Sequence, residues 1–224
     1  MSRHRTLVGA IALALFASVA APQLGATAML PLRGELFVVD PGHGTRRPDG
    51  RPLNVGAVAP DGTQEARIAL EVGTRLAALL RADGATVRMT RTVAQPYRTA
   101  TTIAGDNHAR AAWANRLGAT AFIAVHCDAS LDRTKRGTSV FWLRPNSVAL
   151  ADAIRAQLAP LGLGESEFHP RHLSVTDEAR VPAVLVELGF ITNPAQEARL
   201  RDAAFQAREA TALAQAIVDV FGAR

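Results

Sequence analysis

Apolar runs of strand length alternate with helical stripes along most of this chain, and no other feature constrains its fold as tightly. Residues 35–40 carry Leu36, Phe37, Val38 and Val39 without interruption, as a strand covered on both faces does. Residues 63–82 then place Ile68, Val72, Leu76 and Leu79 at helical spacing, and Asp83-Gly84 ends the stripe. Further strands are predicted at 85–90, 119–125, 137–143 and 181–188, and further helices at 106–117, 146–158 and 203–221. Residues 159–180 show neither period and read as loop. Such alternation predicts a single α/β domain with a mostly parallel sheet. No internal repeat, low-complexity tract or linker marks a second domain.

Composition narrows the partners. The 224 residues are 48% hydrophobic and 20% charged, which suits a globular domain and excludes collagen-like or disordered chains. Aromatics are only 5%, so Ala, Leu, Val and Ile must build the core. The net charge of +5 is spread along the chain and almost all carried by arginine, with Lys135 the sole lysine. Scattered arginines read mostly as solvated surface, and no basic stripe suggests nucleic acid. A single cysteine, Cys127, excludes an internal disulfide or a multi-cysteine zinc site.

The N-terminus reads as an export signal. Arg3, His4 and Arg5 precede the apolar run Leu7–Ala21, and Ala26-Thr27-Ala28 offers a cleavage site, with Ser18-Val19-Ala20 a weaker one. The run is about 15 residues, short of the ~20 that a spanning helix needs. Residues 1–28 are therefore read as a signal peptide and 29–224 as the mature domain. That domain is expected to be periplasmic or secreted, with no stable membrane anchor.

Four polar residues sit where a core or a plain turn has no use for them. Counted at about 100° per residue from Glu65, Ile68 falls at about 300°, Ala69 at about 40°, Val72 at about 340° and Leu76 at about 20°. Glu65 thus lies in the inward stripe. It is either a ligand or a carboxylate placed favourably in a first helical turn. His126 shares one strand face with Phe122 and Ala124, which sends Cys127 to the other face. His43 occupies the turn Pro41-Gly42-His43-Gly44 after the first strand. Glu187 follows the apolar run Ala183–Val186 and needs a partner, an arginine for instance, or a raised pKa. Each has a bland reading alone. Together, three of them end or follow strands, where sites of open α/β sheets gather. Two histidines and a carboxylate make a zinc set with an open position, and a further carboxylate suits proton transfer.

At these residues the sequence resembles the zinc-dependent N-acetylmuramoyl-L-alanine amidases, bacterial cell-wall hydrolases. The resemblance rests on Val38-Val-Asp-Pro-Gly-His-Gly44, Gln64-Glu65, Thr90-Arg91, Arg110-Ala-Ala-Trp-Ala-Asn115, Phe122–Ala129 and Val181–Asn193, in that order along the chain. It implies a twisted sheet flanked by helices on both faces. It implies one zinc ion held by His43, Glu65 and His126, with Glu187 as catalytic acid and base and peptidoglycan as substrate. Asp40, Asp128 and Arg171 are candidates for supporting the ligands or lining the substrate groove. Thr45, Ala66, Ala124 and Asp128 depart from residues frequent in the family, and none of these removes a ligand. Some members carry a long insertion whose helix blocks the site until an activator binds. The stretch between Leu143 and Val181 is short, so no such plug is expected here, and an activator protein is left open. Two competing readings stand beside the amidase: a zinc peptidase or carboxypeptidase acting on wall peptides, and a non-catalytic wall-binding protein.

Overall fold

The computed structural model describes residues 30–223; the signal peptide expected at 1–28 lies outside them. In chain order the elements are β1 (Leu36–Pro41), β2 (Thr45–Arg46), β3 (Pro52–Asn54), α1 (Glu65–Ala82), β4 (Thr86–Met89), β5 (Arg98–Thr99), α2 (Ile103–Leu117), β6 (Ala121–Asp128), β7 (Thr138–Trp142), α3 (Val148–Leu158), β8 (Glu165–Pro170), α4 (Ser174–Glu178), β9 (Ala183–Phe190), α5 (Pro194–Leu200) and α6 (Ala203–Phe221).

Six strands form one sheet in the order β4-β1-β6-β9-β7-β8. The first four run parallel to one another; β7 meets β9 antiparallel and carries β8 parallel to itself. The sheet is therefore mixed but mostly parallel, as the alternation predicts. A small second sheet, β3-β2-β5, folds the segment after His43 back across the start of α1.

The period-2 alternation of the strands fills both faces of the sheet. Phe37, Val39, Ile123, Val125, Val184 and Val186 pack under α1, α3 and α6. Val38, Phe122, Ala124, Phe141 and Leu185 face the other way, toward α2 and α4. Burying each large side chain contributes on the order of 1.5–3 kcal/mol, so these two layers hold the sheet's register. Helix boundaries follow their caps: Thr102 accepts the Gly105 amide, Asn193 those of Ala195 and Gln196, and Asp202 that of Phe205.

Two expectations need correction. Residues 159–180 are not a loop: they hold β8 and α4. In β8 only Phe168 packs on the large core, against Trp142, while Glu165, Ser166, His169 and Pro170 are exposed. An edge strand with one inward apolar residue shows no hydropathy period. The strand predicted at 119–125 runs on to Asp128, so His126 stands within it and not beyond its end.

Candidate metal centre

Three segments converge at the carboxyl ends of the central strands β1 and β6. His43 leaves β1 in a left-handed conformation, φ 62°. Glu65 is the first residue of α1, and His126 lies on β6. His43 Nε2 is 2.8 Å from Glu65 Oε1, and His126 Nδ1 is 3.0 Å from both. Two imidazole nitrogens and a carboxylate oxygen can face one another this closely only around a proton or a cation. The spacing approaches the ~3.3 Å between ligand atoms bonded tetrahedrally to zinc at about 2.0–2.1 Å, and two nitrogens with one carboxylate oxygen suit that ion. The donor set therefore fits a divalent metal, and among the described residues these are the three that could share one.

Each donor is held from behind. His43 Nδ1 lies 2.9 Å from Asn54 Oδ1, so its N–H donates there and Nε2 is left with its lone pair. Glu65 Oε1 accepts the Cys127 amide at 3.0 Å, and Oε2 accepts the Ala57 amide at 2.9 Å. Burial alone would raise the Glu65 pKa; hydrogen bonds with His126 and His43, and their charges, outweigh it and keep the carboxyl below its usual range. Cys127 points to the opposite face of β6, buried in the large core, as its parity predicts.

The His43 turn is clamped by two arginines, Arg91 and Arg110, that stand in the motifs of the resemblance without a role assigned to them. Arg110 is 1% exposed. It donates to Asp40 at 2.7 Å, to the Pro41 carbonyl at 3.1 Å and to the His43 carbonyl at 2.6 Å. Arg91, also buried, donates to the carbonyls of Pro41 at 3.0 Å and of Gly42 and Ala66 at 2.6 Å. Burial, then repulsion from Arg110, pushes Arg91 down to about 10. Asp40 makes no hydrogen bond to either histidine. It accepts from Arg110 and Thr90, and Arg110 links it to the His43 carbonyl. Burial would raise its pKa, but the Arg110 charge prevails and lowers it. A signal for Arg110 was present: Asp106, Arg110 and Ala114 lie four residues apart, on the buried stripe of α2.

Glu187 is the register partner of His126 across β6 and β9, on the face that carries the histidine. No arginine pairs with it, and its Oε2 is shielded and without a partner. Burial, then the charge of Glu65, pushes its pKa well above the carboxylate range. Asp128 stands two residues beyond His126 and accepts the Ala129 amide at 2.7 Å; burial raises it too. Arg171 follows β8, with its guanidinium 4.8 Å from the Phe141 ring centre and 3.7 Å from Glu167. Neither Asp128 nor Arg171 joins the three donors. Of the remaining histidines, His108, His169 and His172 are exposed and rest against Glu178, Glu167 and Asp177. A cavity of about 160 Å³ opens beside the donors, walled by Asn54, Asn107, Leu173 and Ser174. The segment between Leu143 and Val181 thus supplies part of the site's wall.

Comparison with known proteins agrees with this geometry. The N-acetylmuramoyl-L-alanine amidase family model matches residues 37–219. The chain is 31% identical over 190 residues to the probable cell wall amidase LytH of Staphylococcus aureus, covering 84% of this chain and 58% of that protein. It thus spans little more than half the length of the curated relative. Among solved structures, Ami1 from Mycobacterium smegmatis superposes with a TM-score of 0.73 at 26% identity, over 85% of this chain and 98% of that one. AmiC2 of Nostoc punctiforme gives 0.71 at 26%, over 83% and 96%. A family match spanning nearly the whole described domain, on a sheet that brings His43, Glu65 and His126 together, makes this chain a member of the N-acetylmuramoyl-L-alanine amidase family.

Proposed function

We propose that residues 29–224 form a zinc-dependent N-acetylmuramoyl-L-alanine amidase that acts on peptidoglycan outside the cytoplasm. It would hydrolyse the amide between the lactyl group of muramic acid and L-alanine, with one zinc per chain. The observation that carries this reading is the closure of His43, Glu65 and His126 to about 3 Å in a chain of this family, with an unpaired carboxyl beside them. Its placement outside the cytoplasm is supported by the similarity to a probable cell wall amidase of Staphylococcus aureus. Among the described residues no helix is long and apolar enough to cross a membrane.

Zinc, when bound, supplies Lewis-acid polarisation of a carbonyl and lowers the pKa of water toward ~7. The chain supplies the rest. His43 and His126 would hold it through imidazole nitrogens, with Asn54 fixing the His43 tautomer. Glu65 would contribute the one negative ligand and so leave the centre a net positive charge. Burial and the Glu65 charge raise the Glu187 pKa, and no donor bonds its Oε2, so its carboxylate suits the role of proton acceptor. It accepts the proton of the attacking water on one oxygen and returns that proton to the leaving amine nitrogen.

Digestion of purified sacculi with and without chelator, followed by mass analysis, tests the reading. The expected products are glycan strands freed of peptide and intact stem peptides, lost on chelation. Shortened stems would make the protein a peptidase, and no products a binding protein. Glu187→Gln is expected to keep stoichiometric zinc while turnover falls by about a thousandfold or more; near-native turnover would remove Glu187 from the mechanism.

A further inference from the structure

The register of the sheet aligns four polar side chains across one face: His126 on β6, Glu187 on β9, Ser139 on β7 and Glu167 on β8. The outer two are partnered. His126 belongs to the donor cluster, and Glu167 Oε2 lies 2.8 Å from His169 Nε2. The inner two are not. Ser139 is 1% exposed and its hydroxyl has no hydrogen-bond partner. Glu187 Oε2 is shielded and equally unpartnered. Two buried orphan polar atoms on paired positions call for a common explanation.

Residues directly opposed in an antiparallel pair keep their Cβ atoms about 4.5–5.5 Å apart. Rotation about their side-chain torsions can therefore bring the Ser139 hydroxyl and the Glu187 carboxyl within reach of each other. Val140 and Trp142 turn to the opposite core layer, which leaves Ser139 on the face that carries Glu187. A carboxyl free to rotate presents either oxygen to the substrate; one held by a donor presents the other in a fixed direction. A serine does this without discharging the base, whereas an arginine in its place would lock Glu187 in an ion pair.

We propose that Ser139 is a positioning residue, whose hydroxyl donates to Glu187 Oε2 and turns the second carboxylate oxygen toward the His126 side of the cleft. The assignment rests on the role given to Glu187 above.

Ser139→Ala, Ser139→Thr and Glu187→Gln are compared on a soluble muramoyl peptide, with bound zinc and thermal midpoint measured on each protein. Ser139→Ala is expected to lower kcat by about tenfold or more, with KM, zinc content and midpoint unchanged. Ser139→Thr keeps the hydroxyl and is expected to recover most of the loss. Wild-type kcat in Ser139→Ala, a matching fall in zinc or midpoint, or no recovery with threonine would overturn the proposal. The two assignments fail separately: an active Glu187→Gln removes the base itself, whereas an inactive Glu187→Gln beside an unimpaired Ser139→Ala removes only the positioning role.

Discussion

Gly42 shows how little room the metal centre leaves. A Cβ added there would stand 2.3 to 2.6 Å from three atoms of the His126 ring, closer than any real contact. The backbone cannot give way, because Arg91 and Arg110 hold the carbonyls of Pro41, Gly42 and His43. Gly42→Ala should therefore push the imidazole out of place. Zinc affinity is expected to fall by at least tenfold while the far-ultraviolet dichroism stays native; a competition titration with a chromophoric chelator measures it. At this scale the sequence marked the inward Glu65 clearly and the inward Arg110 only faintly. Glu65 betrayed itself by standing on the axis of an apolar stripe. Arg110 stands on a stripe of alanines so small that the stripe itself is hard to see. The clamp it forms with Arg91 spans separations of 49 to 70 residues, which no local pattern records.

Among the helices, α6 was legible from end to end, and yet it holds an anomaly that hydropathy does not price. Glu209 is fully buried, and neither carboxyl oxygen has a partner. Burial pushes its pKa well above the usual 4.5, so the folded chain favours the neutral acid. The unfolded chain releases that proton near its ordinary pKa, and the folded one only at much higher pH. Stability from this group is thus complete below about pH 4 and drains away as pH rises through the gap. Glu209→Met should raise stability at pH 8 by roughly 1–3 kcal/mol, with little gain at pH 4; thermal unfolding at the two pH values measures the difference. Strands divide in the same way. β1, β6 and β9 were readable because both their faces are apolar. β2, β3 and β5 are two or three residues long, and β8 packs only Phe168 on the large core, so tertiary pairing alone defines them.

Across the whole molecule, the donor cluster is a cross-link. His43, Glu65 and His126 belong to a turn, a helix and a central strand, and the unfolded chain keeps them 22 to 83 residues apart. An ion that binds only the folded arrangement adds its binding energy to folding, about 2.7 kcal/mol at a hundredfold excess over its Kd. Zinc should raise the thermal midpoint in a concentration-dependent way, and chelator should return it to a lower plateau, as calorimetry would record; a midpoint indifferent to zinc would mean that the cluster does not bind it. The far margin of the sheet carries a different consequence. Strand β8 lies at that margin with Glu165, Glu167 and Pro170 along it. An incoming chain meets repelling acids and a residue with no amide hydrogen, so the open side of the sheet is a poor template for fibril growth.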